Sequence, residues 1–356
     1  MKILEVCLSK SLGGLELYFF RCSQYFVKKE MGFAVVSQDS KLADKLTSEG
    51  IQHLQLGTSL LKNIQSLLNI IKRSEVDILH VHHKADLFLC SLVKLLSKKK
   101  FRLVHTRQMQ MPHKKKDPYH RFIYSKVDLF IAITKQLRDA AIANLPIVDK
   151  SKIITLYYGV AEPRLSYKSP FNEDETRFKI GLFSRINPKK GQHTFIEACK
   201  YLEKDSFVAQ LYGGIMNSDY YEGLIRLISK NKLDNNIVFK GFHENPPSLM
   251  GHFDVIIMPS LDETFGLVAI EAMRAGTPVI AANYGGLTEI IVHGKNGLLF
   301  EKENAKDLAT QIQYLINDPD QASSIAIKGK QDADKNFSET EHFNKLYQLF
   351  HDVLKN

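Results

Sequence analysis

No two cysteines of this chain stand at the spacing of a zinc knuckle or a redox dithiol. Its 356 residues hold four (Cys7, Cys22, Cys90 and Cys199), with no Cys-x-x-Cys and no Cys/His cluster at metal-ligand spacing. A disulfide framework or structural zinc site is therefore not expected. Four small buried side chains in a reducing compartment are. Tryptophan is absent, which excludes nothing. Long hydrophobic runs are missing: nowhere do about 18 apolar residues follow one another, so no bilayer-spanning helix is expected. The opening MKILEVCLSKS has an apolar run of one strand's length and no small-residue cleavage site, unlike a signal peptide. The expected location is cytoplasmic. G-x-G-x-x-G and G-x-x-x-x-G-K-[ST] are both lacking, which argues against a dinucleotide-dependent oxidoreductase and a P-loop ATPase.

What the chain does have is length for two domains, with 44% apolar and 24% charged residues, ordinary for a soluble globular protein. Its net charge of +9 is unevenly spread. Residues 1–165 hold 27 Lys/Arg against 14 Asp/Glu, and residues 166–356 hold 21 against 25. The basic half suggests an anionic partner such as a membrane surface or a phosphorylated acceptor. Nucleic acid is not expected, because aromatic stacking platforms and known binding motifs are absent; a nucleic-acid-binding protein is kept only as a distant alternative.

Strand-like and helix-like segments alternate at short spacing, which predicts parallel α/β architecture. MKILEVCL, GFAVVSQ, DILHVH, RLVHTR, LFIAIT and KIITLYYG read as strands. So do FKIGLFS, FVAQLYGG, NIVFKGF, DVIIMPS, TPVIAAN and NGLLFE. Between the two sets, VAEPRLSYKSPFNEDETR carries prolines and charges without an apolar period, as a linker would. Phe343, Leu346, Tyr347, Phe350 and Val353 fall at helical spacing near the end. The expected organisation is two Rossmann-like, doubly wound domains with an interdomain cleft. Residues 1–162 are expected to form the first domain, 163–177 the linker, 178–337 the second domain and 338–356 a terminal helix. Ligands in such sheets bind at the carboxyl ends of the strands.

The strongest chemical signal is DVIIMPSLDETFGLVAIEAMRAGTP, residues 254–278. A strand ends at Ser260, a loop carries Asp262, Glu263 and Thr264, and a helix starts near Phe265–Leu267. The amides of Gly266, Leu267 and Val268 would lie unpaired at the helix start, a ready anion site. Glu271 lies one turn beyond Leu267. Either carboxylate alone would read as an ordinary helix residue; together with the helix end they suit a nucleotide sugar. Its diphosphate takes the helix end, and its hydroxyls donate to the carboxylates. In FSRINPKKGQHTFIEA, Arg185 and Lys190 follow a strand directly, where they can neutralise charge growing on a departing diphosphate.

The ordered segments FSRINPKKG, LYGG, VFKGF, MPSLDETFGLVAIEAMRAGTPVIA, YGGLTEII and GKNGLLF resemble glycosyltransferase family 4, retaining enzymes of the glycosyl transferases group 1 type with a GT-B fold. SLGGLE and DILHVH extend the resemblance more weakly into the first half. The resemblance implies retaining transfer from a nucleotide-diphosphate sugar, UDP- or GDP-linked, with no cofactor and no essential metal; residues 1–162 would then be the acceptor domain, 178–337 the donor domain, and the helix over 338–356 would pack back on the first domain. It implies that Glu271 holds ribose hydroxyls and Glu263 lies by the donor sugar. Arg185 and Lys190 hold the diphosphate, with Thr264, Phe265, Gly266, Leu267 and Val268 around it. Gly13 and Gly14 approach the phosphates, and Gly241, Phe242 and His243 lie beside the base. Where relatives often carry a His on the acceptor side, this chain has Gln108, with His105, Arg107 and His113 as candidate substitutes. The expected attack is front-face, because no carboxylate pair is set for double displacement.

His80 and His82 share a strand face, but no third ligand is evident, so they are expected to line the cleft rather than hold a metal. Two basic clusters, Lys94–Arg102 and Lys114–Arg121, suit anionic lipid or a phosphorylated acceptor. The expected acceptor is a glycan or a lipid-linked glycan, in assembly of lipopolysaccharide or surface polysaccharide, with peripheral attachment to the cytoplasmic membrane. The competing readings on this fold are a sugar-nucleotide epimerase and a sugar phosphorylase.

Overall fold

The computed structural model describes residues 1–355 apart from positions 112, 148 and 167. The chain divides into two units. Unit 1 comprises Met1–Tyr157 and His342–Asn356; unit 2 is Tyr158–Glu341.

Unit 1 is built on a seven-stranded parallel sheet: β1 (Ile3–Cys7), β2 (Gly32–Ser37), β3 (His53–Leu56), β4 (Ile78–Val81), β5 (Arg102–Arg107), β6 (Leu129–Ala132) and β7 (Ile153–Thr155), in the order β3-β2-β1-β4-β5-β6-β7. β1 and β4 are buried along their whole length, as strands covered on both faces are, with Glu5 and His80 the only polar residues in their otherwise apolar runs. β3 was not anticipated. It is an edge strand, and HLQL offers only two apolar residues.

Unit 2 carries a six-stranded parallel sheet: β8 (Phe178–Phe183), β9 (Phe207–Tyr212), β10 (Ile237–Gly241), β11 (Val255–Met258), β12 (Val279–Ala282) and β13 (Leu298–Phe300), in the order β10-β9-β8-β11-β12-β13. Both sheets reverse their winding beside the first strand, at β1 in unit 1 and at β8 in unit 2. Loops leaving the strands on either side of that point diverge and open a crevice. Two further helices, Ala305–Asn317 and Pro319–Asn336, complete unit 2. Their caps are chemical: Asn304 accepts from the Asp307 amide at 3.1 Å, and Asp318 from Gln321 at 3.0 Å, with Pro319 in the first turn.

Ser166, Pro170 and Phe171, within the stretch expected as a linker, make contacts inside unit 2. Ser166 donates its amide to the Ser248 carbonyl (2.8 Å), Gln210 donates to the Pro170 carbonyl (3.1 Å), and Phe171 meets Phe253 edge-on. The terminal helix (Glu339–Lys355) returns to unit 1 from His342 onward. Phe343 stacks on Tyr25 of the first helix (Gly14–Lys28), with ring centroids 4.3 Å apart, and Phe350 stacks on Phe26 at 5.7 Å. His342 bridges Tyr18 Oη and the Tyr157 carbonyl at 2.9 and 2.7 Å. Since a carbonyl only accepts, Nδ1 donates and Nε2 takes the tyrosine proton, so the neutral ring satisfies both partners. Burial holds its pKa down at about 3. Tyr347, at helical spacing with this face, is instead more than a third exposed.

Candidate active site

The site in unit 2 is assembled from the loops that follow β8, β11 and β12. After β8, the Ile186 amide donates to the Gly214 carbonyl (2.9 Å), which carries the sheet pairing past the strand end. A single helical turn, Pro188–Lys190, follows, with the Asn187 side chain accepting the Lys189 amide at 3.0 Å. Gly191 then turns left-handed (φ +70°). A Cβ there would stand 1.9 Å from the Pro259 carbonyl oxygen, so only glycine lets this loop meet the end of β11. The Leu261 amide donates to the Lys189 carbonyl at 2.8 Å, tying the two loops together.

That tie brings Lys190 to Glu263. Nζ lies 2.7 Å from Oε2, and both side chains are about four-fifths buried. A parallel pair, Lys189 with Asp262 at 3.0 Å, is much more exposed and contributes little. Arg185 is exposed. Its carbonyl accepts from the buried Gln192 amide (3.0 Å), which also donates to Ser184 Oγ (2.9 Å).

Beyond Glu263, Thr264 is half-buried and Phe265 is buried with its ring against Tyr158. Gly266 (φ +112°) caps the helix Leu267–Arg274. The first bond of that helix runs from the Ala269 amide to the Gly266 carbonyl (3.0 Å), so the amides of Leu267 and Val268 precede the ladder. Glu271 follows one turn later, half-buried. The turn after β12 supports the whole loop from behind. The Gly286 amide donates to the Glu263 carbonyl at 3.1 Å, and Gly285 is left-handed at φ +61°. Gly241 ends β10 and accepts from the Gly213 amide at 2.8 Å. Phe242 is exposed, and His243 accepts the Asn245 amide at 3.2 Å. The structure thus brings Lys190, Glu263 and the helix start into one braced cluster at the β8/β11 winding reversal, with Gly241–His243 two strands away.

In unit 1, Gly13 and Gly14 open the first helix. Glu16 closes a capping box on this turn: Oε2 accepts the Gly13 amide (2.8 Å) and Oε1 accepts Ser11 Oγ (2.9 Å). Burial pushes the Glu16 carboxyl up, but hydrogen bonds from Ser9, Ser11 and the Gly13 amide outweigh it and hold it below its usual range. The Gly13 amide is therefore already engaged; a Cβ on Gly14 would meet nothing within 4 Å. His105 is fully buried and bonded through Nδ1 to the Val81 carbonyl (2.9 Å). Arg107 donates to the carbonyls of Met109 and Gln110 at 2.7 and 3.0 Å, and Gln108 is buried. His113 is exposed. His80 and His82 line no open surface, contrary to the expectation from their strand position. They sit in mid-sheet beneath the first and terminal helices, and both are buried, at 0% and 1% exposure.

A family model described as "Glycosyl transferases group 1" matches residues 164–332, and one described as "Glycosyltransferase Family 4" matches residues 12–162. Between them they account for both units. The chain belongs to the GT-B glycosyltransferases. It is 24% identical to the capsular polysaccharide biosynthesis glycosyltransferase CapM of Staphylococcus aureus, over 93% of each chain. It is 23% identical to the lipopolysaccharide core biosynthesis mannosyltransferase LpsB of Rhizobium meliloti, over 84% of this chain and 88% of LpsB. Anabaena Alr3699/HepE, solved in complex with UDP, superposes with a TM-score of 0.87 at 23% identity, over 99% of this chain and all of HepE.

As a glycosyltransferase, the protein owes its unit 2 cluster to parts that motif reading overlooks. Gln192 pins the backbone that carries Arg185, and Gly285–Gly286 shapes the Glu263 loop. Both act through the main chain, where a side-chain motif gives no signal. A buried amide directly after the Lys-Gly turn was the available clue. In this glycosyltransferase the first basic cluster is also partly spent internally. Lys94 pairs with Asp128, Lys99 with Glu75 (2.8 Å), and Arg102 approaches Asp128 at 3.7 Å. Lys98 and Lys100 remain exposed beside Leu95 and Leu96, which are both more than half exposed. Among the described residues, no helix is long and apolar enough to cross a membrane.

Proposed function

We propose that this glycosyltransferase moves a sugar from a nucleoside-diphosphate sugar to a hydroxyl of a glycan or lipid-linked acceptor, retaining anomeric configuration and using no metal at the reaction centre. The observation that carries this reading is the Lys190–Glu263 pair, 2.7 Å apart beside the open start of the Leu267–Arg274 helix. It sets a cation and an amide cluster where a diphosphate would leave, and a carboxylate where the sugar would sit. Unit 2 takes the donor, with Arg185 and Lys190 on the diphosphate and Glu271 on the ribose. Phe242 and His243 border the base. The acceptor oxygen bonds to the anomeric carbon as the bond from that carbon to the phosphate oxygen breaks. The acceptor proton passes to the departing phosphate on the same face. The polysaccharide setting is supported by CapM and LpsB, and a uracil base by the UDP in HepE.

A calorimetric screen of UDP, GDP, ADP and CMP in EDTA tests the donor site. One diphosphate is expected to bind, with a loss of about tenfold or more in Glu271→Ala, as removal of a charged hydrogen-bond partner implies. No binding by the folded protein would sink the reading.

Attachment to an anionic membrane belongs to the same proposal. It rests on Lys98 and Lys100 beside exposed Leu95 and Leu96, where each basic residue contributes about 1 kcal/mol near the surface. The double variant Lys98→Ser, Lys100→Ser is expected to lose about 30-fold in partitioning onto phosphatidylserine vesicles at low salt. Equal sedimentation with and without the substitutions would remove the membrane from the proposal.

A further inference from the structure

Beneath the first helix of unit 1, four buried side chains converge. Glu5 comes from β1, His80 from β4, His82 from the position just past the end of β4, and Cys22 from the first helix. One donor atom of each lies within 4.8 Å of the other three, and none is more than 1% exposed. The parallel register explains the convergence. Glu5 stands opposite His80, and His82 lies two residues further along the same face. His82 Nε2 is 2.5 Å from Glu5 Oε2, and His80 Nδ1 is 2.9 Å from the same atom. Aromatic rings close the surroundings: Phe19 and Tyr18 lie 5.3 and 5.5 Å from His82, and Phe350 lies 5.1 Å from His80.

A carboxylate sealed among rings needs a cation. As the side chains stand, the buried Glu5 Oε1 and His82 Nδ1 have no hydrogen-bond partner among the described residues. The far nitrogen of His80 is fixed by Thr106 Oγ1 at 2.7 Å. Such an outer contact orients an imidazole whose other nitrogen is a ligand.

We propose that Glu5, Cys22, His80 and His82 form a structural zinc site in the core of unit 1. A carboxylate and a thiolate together neutralise a divalent cation, and two neutral imidazoles complete a tetrahedral N2OS set. Bonds of 2.0–2.3 Å place tetrahedral donors about 3.5 Å apart, so the two contacts to Glu5 open by roughly 0.6 to 1 Å as the ion enters. Four protein ligands leave no open position, so this ion takes no part in sugar transfer. It joins β1, β4 and the first helix during folding.

The test is metal analysis of the full-length protein, produced in zinc-supplemented medium and dialysed against EDTA. One zinc per chain is expected, released when guanidinium unfolds the protein. Cobalt-substituted protein is expected to show thiolate-to-cobalt charge transfer, absent in Cys22→Ser. Zinc affinity in Cys22→Ser should fall about 10- to 100-fold or more. A folded wild-type protein without zinc, or zinc content and cobalt spectrum unchanged in Cys22→Ser, overturns the proposal. If Cys22→Ser does not fold, the wild-type zinc content and cobalt spectrum decide it alone. Nucleotide binding by unit 2, measured on the same samples, keeps this outcome separate from the donor reading.

Discussion

Lys190→Ala is expected to lower kcat by about 10²- to 10³-fold, the usual cost of deleting one preorganised donor to a developing oxyanion. The expectation rests on how firmly the ammonium is held. Asn187 caps its turn, Gly191 presses the loop on Pro259, and the Leu261 amide bonds to the Lys189 carbonyl. Nζ is thereby fixed 2.7 Å from Glu263 and needs no rearrangement when charge builds on the leaving phosphate. On the proposed reading the ground-state diphosphate would keep Arg185 and the helix amides, so KM for the donor should change less than kcat. The truncation leaves Glu263 without its cation in a mostly buried loop, but one ion pair of this kind is worth about 1–3 kcal/mol, too little to unfold a domain. Lys189→Ala is the internal control. Its pair with Asp262 is solvent-exposed, and its kcat should stay within about twofold of wild type. Initial-rate kinetics on both variants decides the matter, and a wild-type kcat in Lys190→Ala would remove it from the reaction.

Gly285→Ala is expected to damage the proposed donor site through the backbone of the Glu263 loop, without altering any side chain of the site. At φ +61° an alanine is strained by about 1 kcal/mol. The larger effect is steric, because the new Cβ would stand 2.2 Å from the Glu263 carbonyl oxygen. That oxygen already accepts the Gly286 amide. Nor can the turn retreat, since Gly286 itself lies against the Thr264 carbonyl, 2.4 Å from where its own Cβ would be. The Glu263–Phe265 segment must therefore shift, and the helix start moves with it. Misplacement of reacting groups by about 1 Å can cost 10²-fold in rate. A thermal shift of several degrees and a loss of activity of about that size are the expected pair of results. Wild-type kinetics with wild-type stability would show that the turn does not set the loop.

How much of this was legible beforehand follows from where the signals lie. β4 and β11 were readable because strands buried on both faces need unbroken apolar runs, and ILHV and VIIM nearly are. β3 was not, because an edge strand needs only half as much. The helices over 305–317 and 319–336 escaped although Asn304 and the Asp318–Pro319 pair mark their starts. Their apolar positions are diluted by polar ones, and no motif drew attention there. At the site, Lys190, Glu263 and Gly266 announce themselves through spacing. Gln192 and Gly285 do not, since they act on carbonyls. Glu5 and Cys22 could not be connected to His80 and His82, because only the register of β1 on β4 and the pitch of the first helix bring positions 5, 22, 80 and 82 together.

The route of the chain has a consequence for synthesis. Unit 1 is begun first and finished last: its strands emerge before residue 158, but the helix that covers Tyr25, Phe26 and His80 is made only from His342 onward. Unit 2 can complete itself on the ribosome while that apolar surface stays open. Loss of the turns from His342 onward would therefore strand the unit whose strands are made before residue 158.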